Sequence, residues 1–240
     1  MSQQWSVRIV GDRFDLEELL GRFRSPPATI ARDEEGAFWL TSDKFDALGE
    51  ASEVDARANQ LLKLVNGIIR IGNPAAKPVT VECVEQRDER GVRRRFVCSV
   101  GTAVGRSRAT GIATTGSLQA ETSVMQSEAT LRLASKDEKV EKVLRMLAAP
   151  QHTWELLYKV YEVVESEIGG QMADMAQVSK AELRRFTQTA NSEPALKDAA
   201  RHGHSNVPPP PQPMSLKEAD GLVARLVTSW ISQSVQSAGT

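Results

Sequence analysis

Three segments of the form Ser-x-x-Glu, beginning at Ser135, Ser179 and Ser215, each stand just ahead of apolar residues at helical spacing. In such a box the serine accepts from a free N–H of the first helical turn while the glutamate reaches back to the cap, so it marks a helix start. The runs that follow are Val140/Val143/Leu144/Leu147, then Leu183/Phe186/Ala190, then Leu222/Val223/Leu226/Trp230/Ile231. Between the first two boxes, Thr153 is placed to cap a longer helix with Trp154, Leu157, Tyr158, Tyr161, Val164 and Ile168 on one stripe, closed by Gly169-Gly170. From residue 135 onward the spacing therefore predicts a helical bundle.

Ahead of residue 135 the period is different. "WSVRIV" alternates apolar and polar residues, which is strand periodicity. Asp15 with Glu18 reads as a capping box opening a short helix over 14–23, and Thr29–Ala31 with Ala37–Leu40 reads as a hairpin turning at Glu34-Glu35-Gly36. Val54, Ala58, Leu61, Leu62, Val65, Ile68 and Ile69 predict a buried helix from about Glu53 to Ile71, ended by Gly72-Asn73-Pro74. A second hairpin follows; with its turn centred on Arg90-Gly91, Cys83 would face Cys98 and Val81 would face Val100. The Gly/Ser/Thr/Ala-rich stretch 101–127 is expected to hold short strands and connections, with a further strand at 129–134. The fold class expected is α+β: an N-terminal mixed sheet with hairpins and two helices over 1–134, then a helical domain over 135–240. A Pro-rich connector at 206–213 would stiffen the route to the last helix, and the tail after Ile231 is expected to fray.

Composition narrows the function classes. Thirty Lys and Arg balance thirty-one Asp and Glu, for a net charge of −1, so no whole-molecule field would gather nucleic acid or lipid. The N-terminal residues show no basic stretch followed by an apolar one, and no apolar window is long enough for a membrane span, so the chain is expected in the cytoplasm, away from membranes. Two cysteines suit neither a disulfide framework nor a four-ligand zinc site; they read as a redox pair or as two small buried residues. Gly101 and Gly105 enclose three residues and Arg106 follows, which is not phosphate-loop spacing. No metal and no cofactor is expected.

Two stretches carry candidate chemistry. Arg93, Arg94, Arg95, Arg106 and Arg108 cluster around the second hairpin and form a candidate nucleic-acid patch, although Asp88 and Glu89 interrupt it. Arg201 beside His202 is a candidate catalytic pair, the histidine for proton transfer and the arginine for charge stabilisation. Asn191 and His204 complete a polar cluster around it. A helical bundle with such a pair resembles the HEPN ribonucleases of bacterial defence and toxin systems. Their motif sets several residues between arginine and histidine, whereas here His202 follows Arg201 directly and His204 follows one residue later. The order "FWLTSDKF", "ANQLLKLVNG", "WELLYKVYEVVE", "FTQTAN…ARHG…PM" is also similar to that of hypothetical bacterial cytosolic proteins. Two functions are expected from these features. The first is a non-enzymatic module working through a protein partner or self-association; the alternative is a metal-independent ribonuclease using Arg201 and His202.

Overall fold

The computed structural model describes residues 4–88, 92–97, 117–200 and 207–238. It has an α+β fold, a six-stranded sheet followed by a helical region. In chain order the elements are β1 (Gln4–Val10), α1 (Arg13–Arg22), β2 (Arg24–Ser25), β3 (Ala28–Arg32), β4 (Phe38–Thr41), α2 (Ala51–Gly72), β5 (Thr80–Arg87) and β6 (Arg93–Val97). There follow α3 (Ser117–Ala134), α4 (Glu138–Leu147), α5 (Trp154–Ile168), the short α6 (Met172–Met175), α7 (Lys180–Ala190), the short α8 (Glu193–Leu196) and α9 (Leu216–Ala238).

The sheet runs β2-β3-β4-β1-β5-β6, and every described pairing is antiparallel rather than mixed. Its centre is β1, where Trp5, Val7 and Ile9 point to the buried face and Ser6 and Arg8 to the other, as the alternation requires. α1 and α2 cover that buried face. The α2 stripe is the expected one, with Val54, Ala58, Leu61, Leu62, Val65, Ile68 and Ile69 all buried. α4 packs on the far side of α2, α3 and α9 lie against it as well, and α5 packs on α9. The buried apolar residues of sheet and helices form one continuous cluster.

Polar side chains pin the loop between α2 and β5. Buried Asn66 donates from Nδ2 to the Val79 carbonyl at 2.9 Å and accepts from the Val79 N–H at 3.0 Å, acting like a neighbouring strand. Asp15 accepts from the Lys77 N–H at 2.9 Å, and Arg70 donates to the Ala76 carbonyl at 2.9 Å. Asp15 thus has a tertiary role, and Asp12 caps α1 by accepting from the Phe14 N–H at 3.0 Å.

Three other expectations are corrected. Residues 117–134 form one helix, with no strand at 129–134. Part of its buried side is polar, namely Ser127, Glu128 and Thr130, so no helical hydropathy stripe is visible. Glu128 Oε1 accepts from the Arg24 and Ser25 N–H groups, which ties this helix to β2. At the first Ser-x-x-Glu box, Asp137 is the cap of α4, accepting from Lys139 and Val140, while the Ser135 hydroxyl donates to the Arg132 carbonyl and closes α3. α9 stays helical to Ala238 because Val235 continues the stripe of Trp230 and Ile231 onto the core. The other two boxes behave as expected: Ser179 caps α7, and Ser215 and Glu218 bond reciprocally at the start of α9.

One glycine sets a helix–helix distance. A Cβ on Gly67 would lie 2.2 Å from the Leu144 carbonyl oxygen, inside any possible contact. Gly221 of α9 has nothing within 4 Å of the same position. Gly67→Ala should therefore cost about 2 kcal/mol or more through forced separation of α2 and α4. Gly221→Ala should add about 0.5–1 kcal/mol through helix propensity. Urea unfolding of both variants beside the parent checks the opposite signs.

Candidate interaction surface

The sheet face turned away from α1 and α2 carries two of the arginines singled out in the sequence, Arg93 and Arg95. Residues opposite one another in the ladder share a face, which places Arg8 beside Trp39 and Cys83, Glu85 beside Arg95, and Arg87 beside Arg93. Arg94 pairs with Gln86 and lies on the other face, as the alternation implies. Arg93 and Arg95 come from β6, an edge strand that pairs only with β5 among the described residues. Arg106 and Arg108 fall outside the described residues.

Buried Glu85 organises this surface. Its two oxygens face Arg93 Nε at 3.7 Å and Arg95 at 3.4 Å, while the arginine side chains stay 57% and 50% exposed. A carboxylate held inside the sheet thus orients two guanidinium groups whose remaining N–H groups point to solvent. Arg95 also stands over the Trp39 ring, 6.0 Å from its centroid, a cation–π contact across the sheet. Trp39 is itself oriented, because its indole N–H donates to Asp33 at 2.7 Å. That bond is the main reason the Asp33 carboxyl sits below its ordinary pKa. At the margin, Arg8 pairs with Glu82 at 2.8 Å. Val92 and Phe96 of this hairpin are exposed apolar side chains.

The β5–β6 register differs from the expected one by one residue. Cys83 pairs with Val97 and Val84 with Phe96, and the ladder closes with Asp88 opposite Val92. The Asp88 N–H donates to the Val92 carbonyl at 3.1 Å, and the Asp88 carboxylate accepts from the Val92 N–H at 2.9 Å. Cys98 lies outside the described residues. Cys83 is buried, and that burial raises its thiol pKa. Iodoacetamide at mildly alkaline pH should leave Cys83 unmodified in the native chain and alkylate it in urea. Peptide mass spectrometry reads the difference; labelling of the native chain at the denatured rate would contradict it.

The second candidate region is described only in part. Arg201, His202 and His204 fall outside the described residues, so the proposed catalytic pair has no geometry to report. Asn191 ends α7, with Nδ2 donating to the Thr187 carbonyl at 2.9 Å and to the Tyr158 hydroxyl at 3.3 Å. Nearby, Phe186 of α7 packs on Trp154, Tyr158 and Tyr161, with ring centroids 5.3 to 6.0 Å away, so the aromatic stripe of α5 is filled core. The proline connector crosses here: Arg185 donates to the carbonyls of Gln212 and Pro213 and pairs with Glu218 at 3.0 Å.

Glu218 is the titratable hinge of that junction. Bonds from the Ser215 N–H and hydroxyl, then from Arg185, lower its pKa from 4.5 to about 2. A depressed folded-state value means the contribution is complete above 4.5 and is lost as pH falls towards about 2. Protection of the first-turn amides of α9, taken relative to their intrinsic exchange rates, should therefore fall across that acid window, and in Glu218→Gln it should be low on both sides of the window.

Sequence reasoning passed over one interior site, at His152. Its Nδ1 faces the Asp220 carboxylate at 2.8 Å and its Nε2 faces the Leu147 carbonyl at 2.9 Å. Both ring nitrogens are engaged within the fold, and the residue ties the α4–α5 loop to α9. No group of three metal-ligating side chains occurs among the described residues, and no described helix is long and apolar enough to cross a membrane. Compared with known protein families, with curated proteins and with solved structures, the chain matches none.

Proposed function

We propose that this chain is a non-enzymatic cytosolic binding module that engages an acidic protein segment along β6. The observation that carries the reading is the pair of half-exposed arginines on β6, which has only β5 beside it among the described residues, held in place by buried Glu85. An edge strand offers unpaired backbone groups to an added strand, and alternate side chains then give specificity. Glutamate or aspartate at alternate positions of the added strand would meet Arg93 and Arg95, with an apolar residue near Val92 or Phe96. A second copy of the chain is disfavoured as the partner through this edge, since full antiparallel pairing of "RRRFV" with itself sets Arg95 against Arg95 and offers no acid to Arg93.

The surface also has the charge for nucleic acid, but Trp39 is tied to Asp33 and covered on one side by Arg95, which leaves little free ring for base stacking. The ribonuclease alternative, with Arg201 and His202, keeps its own assay: cleavage of total RNA by the parent and its loss in His202→Ala. For the binding reading, fluorescence anisotropy is measured at low salt with a short peptide alternating Glu and Val and with an RNA oligomer. The peptide should bind saturably, weakening about tenfold or more in Arg93→Glu and in Arg95→Glu. Binding of the RNA but not the peptide would overturn the reading.

A further inference from the structure

We propose that a second basic site, in the groove between the 3-10 turn Asp43–Phe45, α2 and the α3–α4 turn, binds a small molecule through a di- or polyphosphate group. The groove encloses about 400 Å³, room for a small ligand. Lys44, Arg57, Lys63 and Arg145 all border it. Only Arg145 has a carboxylate partner there, Glu141 at 3.6 Å. Among the described residues, Lys44, Arg57 and Lys63 make no side-chain hydrogen bond or ion pair.

Arg8, Arg22, Arg32, Lys139, Lys159 and Arg225 each have a carboxylate partner, and cations without one among the described residues, such as Lys142 and Arg184, occur elsewhere on the surface. What distinguishes the groove is that four cations border one void with a single acid, Glu141. Arg57, Gln60 and Lys63 stand at three-residue steps along one flank of α2, and Lys44 approaches from the preceding turn. Two lysines act as point charges and an arginine as a fork, a set that matches several phosphate oxygens better than one carboxylate. Leu64, Leu131 and Ala134 add an apolar side against which an organic portion of the ligand can lie.

This site is separate from the β6 surface, and the test keeps the two apart. Calorimetric titration of the full chain at low salt uses pyrophosphate and ADP as probes. Saturable binding is expected, weakening with salt and weakening about tenfold or more in Lys63→Glu and in Arg57→Glu. Both variants should also melt no lower than the parent without ligand, because these exposed side chains make no bond among the described residues; a purely structural role for them would lower the melting temperature. Equal affinity for the two probes identifies an inorganic phosphate anion as sufficient, and tighter ADP binding identifies an ester using the apolar side. The proposal is overturned if neither probe binds saturably. It is also overturned if binding survives both variants and is lost in Arg93→Glu with Arg95→Glu, which would place the anion on β6.

Discussion

Where α2 crosses α4, the two backbones meet without a side chain between them, because position 67 is glycine and the Leu144 carbonyl occupies the space a Cβ would need. That approach fixes how deep α4 sits, and with it the layer formed by α3, α4 and α9 over the sheet-covering helices. α2 is therefore the shared wall of the molecule. One of its sides buries the apolar face of β1 and β5, another receives α4, and its flank of Arg57, Gln60 and Lys63 is left to border a groove. A methyl group at that one position would have to be absorbed by both halves of the chain.

Buried polar side chains do the remaining positioning. Asn66 and Arg70 lie one helical turn apart on α2 and hold the entry to β5; Glu128 holds the entry to β2; His152 with Asp220 holds the entry to α5. Each satisfies backbone groups or an opposite charge that would otherwise be costly to bury. Glu128 and His152 also join segments 104 and 68 residues apart, and so help select one arrangement of layers from many that would bury a similar apolar area. On the outer face of the sheet, Glu85 does the same for Arg93 and Arg95, and there the result faces solvent.

This division explains what could be read from the sequence. β1, α2, α5, α7 and α9 were legible because their buried sides are apolar, and the starts of α5, α7 and α9 also carry a cap or a box. α3 was not, because Ser127, Glu128 and Thr130 are buried for their hydrogen bonds and blur its period. The β5–β6 register escaped by one residue because Asp88 bonds to Val92 through both backbone and side chain and sets the pairing there. Of the candidate surface, the arginines were visible as a cluster, but Glu85 and Trp39 gain meaning only once β4, β1, β5 and β6 lie side by side. Asn66 and Arg70 did leave a trace: two polar residues embedded in the apolar stripe of α2.

The place of α9 in the chain has a consequence for how the molecule is made. Leu222, Val223, Leu226, Val227, Trp230 and Ile231 are all buried, and they are laid against α2, α3 and α5, which precede them in the chain. During synthesis on the ribosome those earlier helices emerge with their α9-facing sides open to water. Until residues 216–238 clear the exit tunnel, the nascent chain presents a wide apolar surface suited to holding by a chaperone. Docking of α9 is thus the event that covers the apolar sides of α2, α3 and α5.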